Sequence, residues 1–363
     1  MPPSPPQNAD DASYTAEVQP TFALFLDSRA RTLWSHANER GFTPKDVVAI
    51  SNVGASSKKG RADQIGQKGV GWKATFTVSS TPAVVSGPFR FEFDAATFII
   101  PRWLERHSPQ LRDWPDALCA LAAPTEARCD GTVVALPLDS AEALGAPLDS
   151  ERLRREVQQE VLLFLRQLTH LQLHDVSARQ HVSMSIASLD HRGEWQPRRL
   201  PQAELHRIER IVVASETTDV PEGYVPEGSP AAPATDAPAA SCYFVQSATF
   251  AVPDHLRALE PRRAHAQRTT VQLAFRVESR RADGHADDMD DVDGASSSDW
   301  KLSSPVEEYL FAFLPVRRVG LRFIANADWL LVSSREDVHD CAWNCWLRDR
   351  LAEVKSACML RTL

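Results

Sequence analysis

A stretch rich in glycine and lysine, residues 65–73, has the residue types and spacing to do chemistry. It reads Ile-Gly-Gln-Lys-Gly-Val-Gly-Trp-Lys. Glycine has no Cβ, so the N–H groups of such a loop can turn toward phosphate oxygens, and lysine adds a mobile positive charge. The spacing is neither that of the P-loop nor that of the dinucleotide motif G-x-G-x-x-G. A phosphate-binding loop and a plain turn are therefore alternative interpretations.

The lysines of the chain are concentrated around this stretch. Five of the seven lie between residues 45 and 73, namely Lys45, Lys58, Lys59, Lys68 and Lys73. A solvated basic surface would explain this cluster. A polyanion site built on the glycine stretch would explain both the cluster and its position.

The composition of the whole chain limits the protein classes that fit. A length of 363 residues predicts two domains, with one and three as alternatives, and 43% hydrophobic residues are ample for a buried core. The net charge of −8 argues against a general nucleic-acid or anionic-membrane binder. No apolar run approaches the roughly 18 residues of a spanning helix, and the first residues have no signal-peptide pattern. Six scattered cysteines fit reduced thiols. We therefore expect a nuclear or cytoplasmic protein that binds neither nucleic acid nor membrane.

Periodicity and turn residues predict the elements that would position these residues. Strands are predicted at residues 20–27, 31–34, 74–79, 83–86, 89–93, 131–138, 181–187, 208–213, 242–250 and 270–277. Helices are predicted at residues 46–52, 149–173 and 337–355. Residues 53–64 have the composition of a lid-like loop. Residues 216–241 and 280–299 are predicted to be disordered.

Five short motifs, taken in chain order, resemble the GHKL superfamily of ATPases (the histidine kinase and heat-shock chaperone type), and most closely the NO VEIN and sacsin-like family. They are Gln7-Asn8-Ala9-Asp10-Asp11, the run from Ala37 to Phe42, the run from Asn52 to Gly60, the run from Ile65 to Phe76, and Gly131-Thr132. Segments near the end of the chain, such as Trp343-Asn344-Cys345-Trp346-Leu347, also look like this family. The resemblance covers nearly the whole chain outside the two segments predicted to be disordered.

The resemblance implies a set of ATP-binding residues. Asn8 would hold Mg²⁺ through its amide oxygen, and Thr132 would face the adenine. The backbone of the glycine stretch would bind phosphate, and lysines would offset its charge. The full set implied for the nucleotide is Asn8, Asp11, Asn38, Gly41, Lys58, Lys59, Gly66, Gly69, Val70, Gly71, Lys73 and Thr132.

Two positions depart from the family pattern. The general-base glutamate, four residues before Asn8, corresponds to Ser4, whose hydroxyl cannot act as that base. The acidic residue that reads adenine corresponds to Ala37, so Asn38 or Glu39 would have to take its place. The sequence thus leaves open whether the chain is an enzyme. A chain shortened at its N-terminus is favoured over a degenerate ATPase, and in either case we expect impaired hydrolysis.

These observations predict an α+β fold in two parts. Residues 1–140 would form a Bergerat-type ATP-binding α/β sandwich, with helices on one face of an antiparallel or mixed sheet. Residues 141–363 would form a second α/β domain. The expected function is a chaperone-like or regulatory ATP-binding module. The alternative is a degenerate scaffold or protein-interaction domain that does not bind nucleotide.

Overall fold

The structure, a computed structural model, describes most of the chain. It covers residues 5–51, 72–96, 100–105, 108, 111, 113–125, 128–139, 151, 153, 157–189, 195–196, 206–220, 241–279, 300–303, 307–332 and 336–362. The predicted lid-like loop and the glycine stretch up to residue 71 lie outside these ranges. So do residues 221–240 and 280–299.

The chain divides into two compact units that are interleaved along the sequence. The first comprises Met1–Gln159, Leu165–Ser185 and Ser215–Ala231, and the second comprises Glu160–Phe164, Ile186–Ala214 and Ala232–Leu363. The predicted boundary near residue 140 falls at the edge of the described residues and stays a prediction.

The first unit is built on a mixed sheet. Its strands are β1 (Thr21–Asp27), β2 (Thr32–Ala37), β3 (Ala83–Gly87), β4 (Phe89–Glu92), β5 (Arg102–Trp103), β6 (Cys129–Pro137), β7 (His170–Asp175) and β8 (Gln180–Leu189), of which β8 ends in the second unit. The spatial order is β8-β7-β1-β2-β6-β3-β4-β5. All neighbours are antiparallel except β1 and β7, which are parallel. The prediction for residues 1–140 allowed an antiparallel or a mixed sheet: the described strands within that range pair antiparallel, and the sheet becomes mixed through β7, which lies beyond residue 140.

Helices pack on both faces of this sheet. They are α1 (Pro5–Asp10), α2 (Pro44–Ser51) and α3 (Asp116–Ala122). Val84 of β3 packs in one cluster with Val47 of α2, whereas Val85 packs in another with Leu118 of α3. Successive strand residues point to opposite faces, so α2 and α3 cover opposite sides. The expectation of helices on one face is wrong for this reason.

Two other predictions of local structure are wrong. Residues 72–77 form a 3₁₀ helix, Trp72–Thr77, where a strand was predicted. Within the predicted helix at 149–173, the described residues from 157 onward form a short 3₁₀ helix, Gln159–Leu163, and then β7. The leucines there are buried as the helical pattern required, but the backbone N–H groups of residues 166–168 bind the carboxylate of Asp10 instead of continuing a helix.

The second unit also combines a sheet with helices. Its strands are β9 (Trp195–Gln196), β10 (His206–Asp219, whose last residues belong to the first unit), β11 (Ser241–Ala251), β12 (Arg268–Ser279), β13 (Trp300–Leu302), β14 (Tyr309–Phe311), β15 (Pro315–Arg318) and β16 (Ile324–Asn326). The order is β10-β11-β12-β16-β14-β15, with β13 also on β12. Because β10 extends to Asp219, residues 216–219 are ordered and the predicted disorder there is wrong.

One long helix covers the core of the second unit. This long helix is α5 (Ala342–Thr362), and a short helix, α4 (Asp254–Leu259), precedes it in the chain. Trp343 and Leu347 of α5 are fully buried against Leu273 of β12 and Ala325 of β16. Both units thus have the predicted α/β content. Among the described residues, no helix is long and apolar enough to cross a membrane.

Candidate functional site

A carboxylate stands at the end of β2, where the chain leaves the sheet of the first unit. The Oε1 atom of Glu39 accepts a short hydrogen bond from the hydroxyl of Thr132, on β6. Its Oε2 atom accepts the N–H of Gly41 at 2.8 Å. Burial raises the pKa of Glu39, and the charge of Asp46 acts in the same direction, although both hydrogen bonds oppose the shift. The site therefore holds a partly desolvated acid between two donors.

A serine on β3 extends this arrangement. The hydroxyl oxygens of Ser86 and Thr132 lie 2.5 Å apart, and the N–H of Phe42 donates to the Ser86 oxygen at 2.7 Å. Ser86 is fully buried and Thr132 nearly so. Three segments of the first unit, namely the loop at residues 39–42, β3 and β6, are thus joined by one run of hydrogen bonds.

Two glycines let these segments approach each other. Gly131 has φ +74°, and a Cβ built on it would lie 2.1 Å from the carbonyl oxygen of Ala37. Gly41 has φ +85°, and its Cβ would lie 3.4 Å from Ser86 Oγ. Both values lie in the left-handed region that glycine adopts without steric cost. The glycines thereby bring β6 against the end of β2 and leave room beside Ser86.

The last residue of β2 and the two residues that follow it have different roles. Ala37 is buried in the strand and is the register partner of Thr132, so it offers no side chain to a ligand. The side chain of Asn38 accepts the N–H of Thr21 at 2.8 Å and donates to the carbonyl of Gln19 at 2.9 Å. Asn38 therefore fixes the start of β1. Glu39, and not Ala37, supplies the carboxylate beside Thr132.

Helix α1 presents Asn8 to solvent and anchors its other end in the protein. The side chain of Asp10, with no exposed surface, accepts backbone N–H groups of residues 166–168 at 2.7–3.0 Å. Asp11 forms an ion pair with the guanidinium of Arg166. Asn8 lies on the exposed side of the helix. Of the polar residues on this motif, Asn8 is the one that faces solvent.

Tyr14 connects α1 with the segment that carries Glu39. Its hydroxyl donates to the carbonyl of Ala9 at 2.9 Å, and the N–H of Arg40 donates to the carbonyl of Ser13 at 2.9 Å. Burial raises the pKa of Tyr14, and the nearby charges of Glu39 and Asp10 raise it further. Residues 13 and 14 therefore contact both helix α1 and the segment that carries Glu39.

The remaining predicted residues are only partly covered by the structure. The backbone of Lys73 lies in the 3₁₀ helix Trp72–Thr77, and its side chain is outside the described part. Six further residues lie wholly outside that part, namely Lys58, Lys59, Gly66, Gly69, Val70 and Gly71. The described ranges hold no group of three or more His, Cys, Asp or Glu side chains arranged to bind a metal ion.

Sequence reasoning missed two members of the site. Ser86 lies in an apolar strand pattern, Ala-Val-Val-Ser-Gly, where a serine carries no signal of a partner 46 positions away. Tyr14 lies in a loop that the element predictions did not cover. A register prediction that paired β3 with β6 would have found Ser86 opposite Thr132.

Comparison with known proteins gives three similarities. Residues 7–186 match the family model "Sacsin domain". The match ends one residue after the Leu165–Ser185 segment of the first unit. The chain is 27% identical over 347 residues to Protein NO VEIN of Arabidopsis thaliana, covering 94% of this chain and 10% of that protein. It is 34% identical over 106 residues to human Sacsin, covering 24% of this chain and 2% of that protein. The chain therefore spans a small part of the length of each relative.

Proposed function

We propose, from the sacsin/NO VEIN-like family that these similarities support, that the first unit is an ATP-binding module with a Bergerat-type site. The observation that carries the proposal is the partly buried hydrogen bond between Glu39 and Thr132, beside Gly41 and Gly131, which both have left-handed backbone conformations. An acid and a hydroxyl fixed side by side at a strand end are suited to reading one edge of a nucleotide base. The module is chaperone-like or regulatory, and it acts as part of a larger protein.

The hydrogen-bond pattern fits an amino group of the base. Thr132 gives its only hydroxyl hydrogen to Glu39, so the pair has lone pairs left and no donor to offer. A ligand must then supply the N–H groups, as the exocyclic amine of adenine does. The 6-oxo group of guanine or hypoxanthine would meet acceptors only, which leaves buried polar atoms unpaired at a cost of about 1–3 kcal/mol.

The phosphate end rests on residues of α1 and of the glycine stretch. Mg²⁺ prefers oxygen ligands and keeps several waters, so the exposed amide of Asn8 together with phosphate oxygens is a suitable donor set. Bound Mg²⁺ would neutralise phosphate charge. In this proposal Lys73, Lys58 and Lys59 add positive charge, and Gly66, Gly69, Val70 and Gly71 offer backbone N–H groups.

We expect this chain to hydrolyse ATP slowly or not at all. The residue four positions before Asn8 is Ser4, and a serine hydroxyl is a poor base for activating water. A steady-state phosphate-release assay with Mg-ATP should give no more turnover than the same protein carrying Asn8→Ala. Robust Mg²⁺-dependent turnover that Asn8→Ala abolishes would contradict this expectation.

Nucleotide-dependent melting tests the proposed function. A ligand that binds only the folded state raises the melting temperature by mass action, so Mg-ATP should stabilise the protein. Lys73→Ala should abolish the rise, whereas replacement of an exposed lysine outside the site, Lys45→Ala, should preserve it. An unchanged melting temperature at millimolar Mg-ATP would overturn the proposal.

A scaffold without nucleotide is the second candidate. It is favoured by the contacts of Asp11, which forms an ion pair with Arg166, and of Asn38, which holds the start of β1. Both were expected at the nucleotide, and both have structural partners. In a scaffold, Glu39 and Thr132 would serve folding alone, and their replacement would lower stability without changing any nucleotide effect. A nuclear or cytoplasmic location is part of either proposal.

A further inference from the structure

We propose that Ser86 is a positioning residue that links the base-reading pair, Glu39 and Thr132, to helix α2. The inference rests on the proposed function and extends it, because it connects the same site to helix α2 by hydrogen bonds. Nucleotide binding at Glu39 would then stabilise the segment from Gly41 to the end of α2.

The first support is the direction of the hydrogen bonds. With Glu39 ionised, the Thr132 hydroxyl must donate to the carboxylate, so between Ser86 and Thr132 only Ser86 can donate. The Ser86 oxygen in turn accepts the N–H of Phe42. The three hydrogen bonds therefore run in one direction, with Phe42 donating to Ser86, Ser86 to Thr132, and Thr132 to Glu39. Runs of hydrogen bonds with one direction strengthen each other in a buried environment.

The second support is that Ser86 has no freedom to leave this position. It is fully buried, and β3 pairs with β6 so that Ser86 is directly opposite Thr132. A Cβ built on Gly41 would lie 3.4 Å from the hydroxyl oxygen of Ser86. A Cβ at this distance would be in ordinary van der Waals contact with Ser86, whereas the φ of +85° at residue 41 strains any side chain placed there.

The third support is the packing of Phe42. This residue follows Gly41 and precedes α2, and its ring packs with Val47 of α2 and Val84 of β3. The N–H of Phe42 is held by Ser86, while its ring is held by the cluster around α2. A change in the carboxylate of Glu39 can therefore be transmitted through Thr132 and Ser86 to the start of α2.

The binding test compares Mg-ADP affinity in matched variants. Ser86→Ala should weaken binding about tenfold, which corresponds to about 1.4 kcal/mol. It should also reduce the preference for Mg-ADP over the inosine diphosphate complex, because Thr132 then loses the donor on its oxygen and is held by Glu39 alone. Ser86→Thr, which restores a hydroxyl, should recover most of the Mg-ADP affinity and most of the preference over inosine diphosphate. Ser79→Ala is the control, since Ser79 is equally buried but its hydroxyl has no hydrogen-bond partner in the described part of the protein.

Hydrogen exchange separates the link from the binding itself. In unchanged protein without nucleotide, the amide of Phe42 should exchange at least tenfold more slowly than in Ser86→Ala, and Mg-ADP should slow exchange across residues 41–51. In Ser86→Ala the Mg-ADP effect on residues 41–51 should be lost. If Ser86→Ala does not fold, Ser86→Cys, with a weaker hydrogen-bonding group of similar size, takes its place.

The outcomes distinguish this inference from the proposed function. If the unchanged protein binds Mg-ADP and Ser86→Ala binds it with the same affinity, selectivity and exchange pattern, the link through Ser86 is overturned while the nucleotide site stands. If the unchanged protein does not bind Mg-ADP, the proposed function is overturned. An equal exchange rate of the Phe42 amide in both proteins overturns the link regardless of binding.

Discussion

Glu39 is the residue on which the account of the site depends. Its carboxylate is partly buried, and burial raises its pKa. Thr132 and Gly41 satisfy one oxygen each and thereby offset part of the cost of desolvation. A partly buried acid that is held by a hydroxyl and a backbone amide, without a basic partner among its described contacts, is well suited to receive hydrogen-bond donors from a ligand.

Replacement of Gly131 tests whether the close approach of β6 to Ala37 shapes the site. In Gly131→Ala the new Cβ would lie 2.1 Å from the Ala37 carbonyl oxygen, so the backbone must move. We expect a loss of about 4 kcal/mol or more in the free energy of unfolding, measured by urea denaturation. Gly87→Ala is the control, because Gly87 also has positive φ (+52°) but its Cβ would meet nothing within 4 Å. That change should cost only about 1–2 kcal/mol. Equal losses in both variants would contradict the close approach.

The sequence indicated the residue types of the site better than their exact positions. The motif comparison put the adenine-reading position at Ala37, with Asn38 or Glu39 as its substitute; in the structure Ala37 ends β2 and the side chain of Glu39 contacts Thr132. The difference depends on where β2 ends, and strand ends are set by tertiary contacts such as the clamp of Asn38 on Thr21. A motif in one sequence does not contain that information.

Among the elements, β1, β7 and β8 share a stack of buried rings. Phe25, His174 and His181 lie on successive neighbouring strands, with ring centroids 4.3 Å apart at both steps. Burial lowers the pKa of both histidines, that of His174 to about 3 with a further contribution from the charge of His181. Burial therefore favours the neutral form of both rings, which allows them to pack as flat apolar surfaces across β1, β7 and β8.

The stack predicts a specific dependence of stability on pH. The pKa of His174 is lower in the folded than in the unfolded protein, where it is about 6.5, so the unfolded state binds the proton more readily. The contribution of neutral His174 to the free energy of unfolding is complete above pH about 6.5. It is lost as the pH falls from there toward about 3. The loss is at most about 1.4 kcal/mol per pH unit.

The variant His174→Phe should flatten this dependence. It keeps a ring between Phe25 and His181 but cannot take up a proton, so its free energy of unfolding should fall less between pH 6.5 and 4.5 than that of the unchanged protein. Denaturant titrations at several pH values measure the difference. The exposed His255→Gln should behave as the unchanged protein does. If the free energy of unfolding of His174→Phe falls with pH as steeply as that of the unchanged protein, the buried neutral pair is contradicted.

The segment before β7 explains why one element was mispredicted. Its leucines and valines recur at helical spacing, and all of those described are buried, so the prediction of a core segment is confirmed. The conformation differs because Asp10, more than 150 residues away, binds three successive N–H groups at residues 166–168. Helical periodicity reports which residues face the core, but it cannot report a carboxylate that competes for the backbone.

At the scale of the molecule, the two-part organisation was predicted from length and composition, and two compact units are observed. Their interleaving was not predicted, because the assignment of a short segment such as residues 160–164 depends on contacts between residues far apart in the chain. The cysteines behave as expected in the described ranges, where Cys119, Cys129, Cys242, Cys341 and Cys345 are free thiols. The segments that make the chain most acidic, around residues 287–293, lie outside those ranges.

The most direct test of the central claim is a calorimetric titration of the whole chain with Mg-ADP. The account predicts saturable binding in the unchanged protein and a loss of about tenfold or more in affinity for Glu39→Gln, because the amide presents a donor where the base requires an acceptor. The exposed Glu17→Gln should bind as the unchanged protein does. Absence of binding, or equal affinity of Glu39→Gln and the unchanged protein, would contradict the claim.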